Sequence, residues 1–223
     1  GTRIATAGFD NTARIWDAAN GHELLKLAGH QGLVTGVTFN ADGSRLATAS
    51  VDQTAKIWDV RTGNLLFTLA GHQGAIPDIA FSPDGTLLAT GSFDKTVRTW
   101  DAATGKELQV LAGHSADIQS VAFSSDGKSL ATGSEDNTAI LWDLATGKEL
   151  HSLLGSAGGV MGVTFDPDGS KLALSSSDGV IRVYTLNIDD LLALAQTRVT
   201  RSLTAAECQK YLHTSSCPAE QGK

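Results

Sequence analysis

His30, Ser50, Asp52 and Trp58 are residue types that could do chemistry if a fold brought them together. A histidine set between a serine hydroxyl and a carboxylate is the arrangement that activates a nucleophile for acyl transfer. The same four types recur as His72, Ser92, Asp94 and Trp100, and again as His114, Ser134, Asp136 and Trp142. Each step between corresponding members is 42 residues. A nucleophile gains nothing from three evenly spaced copies, whereas a structural tie is needed once in every repeat. The constellation therefore reads as structural, and the chain as non-catalytic.

Metal and cofactor chemistry find little support. Asp42, Asp84, Asp126 and Asp168 each precede a glycine in a turn-forming stretch. No such turn gathers the several oxygen ligands that a calcium loop needs. His22, His151 and His213 stand alone, the first two expected on outer-strand surfaces. There is no glycine-rich phosphate cradle, so no cofactor is expected. Cys208 and Cys217 are not at metal-ligand spacing and cannot make a disulfide scaffold. They read as free thiols, a disulfide between them requiring the tail to fold back.

The elements that must position these residues repeat with the same period. Trp16, Trp58, Trp100, Trp142 and then Tyr184 form one series, and Asp10, Asp52, Asp94, Asp136 and Asp178 another. The pairs Gly29-His30, Gly71-His72 and Gly113-His114 are followed by a degraded Gly155-Ser156. Within one period, Val34–Phe39, Arg45–Ser50, Thr54–Asp59 and Leu65–Leu69 read as short strands. Between them lie turn signals, of which Asp42-Gly43 suits the positive φ of a tight hairpin. Four short strands every 42 residues predict four-stranded antiparallel blades in an all-β fold. A helical solenoid of similar period fails, because Gly and Asp-Gly interrupt any 3.6-residue stripe.

Gly-His, then Asp, then Trp-Asp at this spacing resembles the WD-repeat β-propeller family over residues 1 to about 185. The resemblance implies that His, hydroxyl, Asp and Trp link the loop entering each blade to its second and third strands. Physically, the histidine can bond the carboxylate and a strand hydroxyl, and the indole N–H can join the same network. Thr48 and Thr90 share the face of Ser50 and Ser92, so either hydroxyl could serve. The strand count gives an open arc of about four and a half blades, beginning with the second strand of one blade. Whole blades start at Val34, Ile76 and Ile118, and a last one, at Val160, has three strands. Because the family's propellers are usually seven-bladed, the resemblance implies on the order of 100 further residues before Gly1. Exposed blade faces and edges of such an arc predict self-association of the isolated chain.

Two domains are expected, the propeller at 1–185 and a helical tail at 186–223. In the tail, Ile188, Leu191, Leu192 and Ala195 fall on one helical face. Thr204 to Glu207 forms a capping box for a second short helix. Acids and bases balance in the tail, so the net charge of −7 resides on the propeller. The stretch from Arg198 to His213 resembles the tail closing many bacterial WD-repeat regulators, in which the propeller follows a Ser/Thr kinase or a STAND-type ATPase module. That resemblance implies a docking or sensing segment of a larger, cytoplasmic signalling protein.

An acidic chain is a poor match for nucleic acid or an anionic membrane surface, and no apolar run approaches the ~20 residues that span a bilayer. A protein or peptide partner is expected instead, on the face built from loops and hairpins. The residues before the hairpin aspartates are Phe9, Val51, Phe93, Glu135 and Ser177. Two phenylalanines there are candidate interface anchors, and Asp78, Asp117 and Glu135 add acidic character suited to a basic ligand. The alternative function is a small-ligand or glycan sensor at the propeller channel, which would need an apolar or aromatic channel mouth.

Overall fold

The computed structural model describes residues 1–154 and 156–186. The chain divides into two units, Gly1–Tyr184 and Thr185–Lys223. The helices expected in the tail, and Cys208 and Cys217, lie outside the described residues.

The first unit is a succession of five antiparallel sheets. Blade 1 contains β1 (Arg3–Ala7), β2 (Thr12–Asp17) and β3 (Glu23–Ala28). Blade 2 contains β4 (Val34–Phe39), β5 (Arg45–Ser50), β6 (Thr54–Asp59) and β7 (Leu65–Ala70). Blade 3 contains β8 (Asp78–Phe81), β9 (Leu87–Gly91), β10 (Thr96–Asp101) and β11 (Glu107–Ala112). Blade 4 contains β12 (Ile118–Phe123), β13 (Ser129–Ser134), β14 (Ala139–Asp143) and β15 (Lys148–Leu153). Blade 5 contains β16 (Val160–Phe165), β17 (Lys171–Ser176) and β18 (Ile181–Thr185). Strands pair in sequence order within every blade, as short turns dictate. No helix among the described residues is long and apolar enough to cross a membrane.

The second and third strands of the inner blades are buried on both faces, since each sheet lies between two neighbours. The core therefore sits between blades. Ala55, Ile57 and Leu69 of blade 2 pack on Ile76, Leu88 and Trp100 of blade 3. Ala13, Ile15 and Leu27 of blade 1 meet Leu46, Trp58 and Val60 of blade 2 in the same way. Fourth strands are largely exposed and carry a bulge: Ile57 faces Phe67 and Trp58 faces Leu65, leaving Leu66 unpaired. Bulges of this kind twist an outer edge away from further pairing.

One strand differs from the sequence reading. β8 begins at Asp78, not Ile76, because Pro77 has no N–H to give to the ladder. Ile76 nevertheless keeps the contact its position requires, its amide donating to Ser50 O of the preceding blade at 3.1 Å. Val34 and Ile118 bond Gly8 O and Ser92 O at the neighbouring junctions.

The hairpin joining second and third strands needs one residue in the left-handed region. Asn11, Gln53, Lys95 and Asn137 fill it at φ of 66–70°, and Gly179 does so in blade 5. A side chain there costs on the order of 1–3 kcal/mol. The adjacent aspartate offsets this: in blade 3, Asp94 Oδ1 accepts the Thr96 amide at 2.9 Å and its hydroxyl at 2.6 Å.

Candidate functional site

The polar constellation assembles three times with nearly the same geometry. In blade 2, His30 Nδ1 lies 2.8 Å from Asp52 Oδ2 and Nε2 lies 2.8 Å from Thr48 Oγ1. Trp58 Nε1 donates to the same Thr48 oxygen at 2.9 Å. His72, Asp94, Thr90 and Trp100 repeat this in blade 3 at 2.8, 2.8 and 3.0 Å. His114, Asp136, Thr132 and Trp142 do so in blade 4 at 2.9, 2.8 and 2.9 Å. With the proton on Nδ1, which donates to the aspartate, Nε2 accepts the threonine hydroxyl and every bond is made.

The hydroxyl in this network is therefore Thr48, Thr90 or Thr132, and not Ser50, Ser92 or Ser134. The serines do a neighbouring job. Ser50 Oγ donates to Gly32 O of the entering loop at 3.1 Å and accepts the Asp52 amide at 3.0 Å. Ser92 and Ser134 repeat both bonds, to Gly74 O and Ala116 O and from Asp94 N and Asp136 N. The choice follows from position: the threonine pairs opposite the strand-interior residue two steps below the turn, within reach of the indole, while the serine ends the strand beside the loop. A row of Thr6, Thr48, Thr90 and Thr132 at 42-residue spacing was the signal in the sequence.

The glycine before each histidine also has a steric role. A Cβ on Gly29 would lie 3.1 Å from the Trp58 ring, and one on Gly113 2.9 Å from that of Trp142.

Electrostatics agree with a structural tie. Burial pushes the His30 and His72 pKa values down, outweighing the hydrogen bond each donates to its aspartate. Burial would raise Asp52, but the Thr54 hydroxyl, the Gln31 amide and His30 outweigh it and hold it at about 2. Asp94 is held at about 2 by the same balance. Histidines whose folded pKa is depressed take protons more readily when unfolded. Their contribution is complete above the ordinary value of 6.5 and is lost as pH falls below it toward the folded value. The aspartates add a second loss as pH falls from 3.8 toward about 2. Denaturant unfolding across pH should thus show a plateau above pH 7 and a decline beginning near 6.5. Stability constant down to pH 5 would contradict neutral buried histidines.

In blades 1 and 5 an arginine pairs with the hairpin aspartate. Asp10 accepts the Thr12 hydroxyl at 2.7 Å and the Arg14 guanidinium at 2.6 Å, which hold its pKa at about 2. Trp16 Nε1 donates to Thr6 Oγ1 at 2.9 Å, the indole being half-buried. In blade 5, Ser156, Leu174 and Tyr184 stand where His, Thr and Trp would be. There Asp178 pairs with Arg182 at 2.7 Å, which lowers its pKa strongly, and the Tyr184 hydroxyl donates to Leu154 O at 3.0 Å. An arginine four residues after the aspartate replaces the missing histidine.

The partner-binding candidates separate. Phe9 is 83% exposed and Phe93 39% exposed, both at hairpin tips, Phe93 beside the loop entering its blade, whose Ala75 O accepts its amide at 2.9 Å. Glu135 is exposed and accepts Gln119 Nε2 at 2.7 Å, while Asp117 is half-buried. Asp78 does not belong with them. Its Oδ2 accepts the Ser120 hydroxyl at 3.0 Å and the Val121 amide at 2.9 Å, both from blade 4. Burial raises its pKa, against hydrogen bonds from the Val121 and Ile79 amides and Ser120. Asp78 is a tie between inner strands, placed there because Pro77 delays β8 and seats Asp78 at the strand's first position. Ser120 carries the link onward, accepting the Val163 amide of blade 5 at 3.3 Å.

On turns away from these hairpins, a concavity of about 470 Å³ is lined by Asn40, Asp42, Arg45, Asp84, Thr86 and Asp101. Its carboxylates close their own turns: Asp42 accepts Ser44 N at 2.8 Å, Asp84 Thr86 N at 3.0 Å and Asp101 Thr104 N at 2.8 Å. Among the described residues, no group of three or more His, Cys, Asp or Glu is placed to hold a metal ion.

The repeat matched among known proteins is offset by one strand from the blades, each copy after the first beginning with the outer strand of the preceding blade. A 42-residue stretch is 50% identical to Ribosome assembly protein 4 of Chaetomium thermophilum (strain DSM 1495 / CBS 144.50 / IMI 039719). It amounts to 19% of this chain and 8% of that protein. Residues 1–17, 21–59, 63–101, 105–143 and 147–185 each match the WD domain, G-beta repeat. Such repeats are generally non-catalytic and typically mediate binding between proteins. With matches running through all five blades, the chain belongs to the WD40 repeat family.

Proposed function

We propose that this chain is a non-catalytic docking scaffold, and that its partner binds the hairpin-and-loop face through Phe9 and Phe93. The observation that carries the reading is the exposure of two phenylalanines at equivalent hairpin tips. Large aromatic side chains left in water on a rigid frame are favoured anchors for a protein partner. Glu135 and Asp117 on that face, and the net charge of −7 of the chain, favour a basic or arginine-bearing peptide. The parent is read as a larger bacterial signalling protein of the kinase- or STAND ATPase-linked kind, acting in the cytoplasm. The isolated chain is also read as self-associating.

A pull-down with the chain and its Phe9→Ala/Phe93→Ala variant tests the docking face. Capture should fall at least tenfold, while stability stays within about 0.5 kcal/mol, as for most exposed substitutions. Unchanged capture would remove this face from consideration, and a large loss of stability would make the phenylalanines structural.

A further inference from the structure

The loop entering each of blades 2 to 5 is joined to the hairpin tip beside it by one backbone bond that repeats with the period. Val51 N donates to Leu33 O at 3.0 Å, Phe93 N to Ala75 O at 2.9 Å, Glu135 N to Asp117 O at 2.9 Å and Ser177 N to Gly159 O at 2.9 Å. In blades 2 to 4 the hairpin aspartate holds the same loop, its Oδ2 accepting the amide of Gln31, Gln73 or Ser115 at 2.8, 2.9 and 2.9 Å. The frame is thus constant, while the pair of side chains each blade carries on it is not. Blade 2 carries Leu33 and Val51, 38% and 43% exposed, and blade 3 carries Ala75 and Phe93. Blade 4 carries two carboxylates, Asp117 and Glu135. Glu135 accepts Gln119 Nε2. Among the described residues, the lysines and arginines that form ion pairs do so elsewhere: Arg14 with Asp10 and Glu23, Arg98 with Glu107, Lys128 with Asp126 and Arg182 with Asp178.

We infer that this face takes one extended peptide in two parts, an apolar side chain against Leu33, Val51 and Phe93 and an arginine or lysine against Asp117 and Glu135. This inference rests on the docking reading and adds an order to it, the apolar residue over blades 2 and 3 and the basic one over blade 4. Packed sheets lie about 10 Å apart and an extended chain rises about 3.3 Å per residue, so the two anchors stand about three residues apart. The two halves reject different errors. A basic group over blades 2 and 3 would give up water with no carboxylate to replace it, and an acid over blade 4 would meet two like charges. The backbone bonds hold both halves in place beforehand, so little ordering of the face opposes binding.

Selection from a library of random displayed peptides on the full chain tests it, with the affinities of the selected peptides read by fluorescence polarisation. They should carry an arginine or lysine about three positions from an aromatic or aliphatic residue. Asp117→Ala/Glu135→Ser borrows the residues that blades 3 and 5 hold at those positions, so its melting curve should match that of the unmodified chain. It should weaken the selected peptides by about tenfold, and make no difference to peptides whose basic residue is replaced by glutamine. Glu135→Lys should instead favour the peptide carrying glutamate in that place, which requires direct contact. Selected peptides without a basic residue at that spacing, or bound equally well by the double variant, would overturn the two-part inference. If Phe93→Ala still abolished their binding, the docking face itself would stand. Peptides indifferent to Phe93→Ala as well, or a library yielding none, would overturn both.

Discussion

Replacing Thr90 by valine should lower the stability of the propeller unit by about 3 kcal/mol. The substitution keeps the shape of the side chain and removes one oxygen. That oxygen receives the Trp100 N–H and donates to His72 Nε2, at 3.0 and 2.8 Å, with His72 and Trp100 both buried. Two polar groups then lose their partner in a place water reaches poorly, at roughly 1–3 kcal/mol for each. Thr6→Val is the control. It removes the equivalent bond from Trp16, whose indole is half-buried and can be hydrated, and should cost under about 1 kcal/mol. Ser92→Ala should fall between, because it frees the Gly74 carbonyl at the blade surface. Equal effects of Thr90→Val and Thr6→Val in denaturant titrations would show that the hydroxyl is not what closes the network.

The contrast between these positions also explains what could be read from the chain beforehand. Period and strand order were legible because each blade solves the same packing problem, so its Trp, Asp and turn residues recur at equal spacing. The hydroxyl was ambiguous because Thr48 and Ser50 lie two residues apart on one side of a strand, and alternation cannot distinguish them. Only the distance from the indole does. Asp78 misled for a different reason. Its equivalents are Gly36, Ser120 and Gly162, so no periodic signal marked it, and an acid after a proline near a loop reads as solvated. Burial against Ser120 and Val121 is a relation between blades, which the pattern within one repeat does not contain. Arg182 was likewise hidden, since in blades 2 to 4 the aspartate's partner is a histidine and not the residue four positions on.

Truncating Trp100 to alanine should have the largest effect of any single change, a loss of about 3–5 kcal/mol. The indole is buried between blades 2 and 3 with Ile57, Leu69, Ile76 and Leu88, and its edge stands against His72, the ring centroids 6.5 Å apart. Its removal leaves a cavity at the junction and takes the indole N–H from the Thr90 oxygen, which keeps its bond to His72. The consequence goes beyond the magnitude, because blades are held chiefly by their immediate neighbours. In arrays of this kind, stability is a sum of unit terms and nearest-neighbour terms. A weak junction between blades 2 and 3 uncouples blades 1 and 2 from blades 3 to 5. Unfolding of Trp100→Ala should therefore split into two transitions, seen as non-coincident far-UV dichroism and tryptophan fluorescence curves. Trp16→Ala, at the uncovered face of blade 1, should lose far less and keep a single transition. If Trp100→Ala unfolds in one step with coincident probes, coupling must pass around the indole, through backbone bonds such as Ile76 to Ser50. The ties between inner strands would then carry more of the cooperativity than the apolar junctions do.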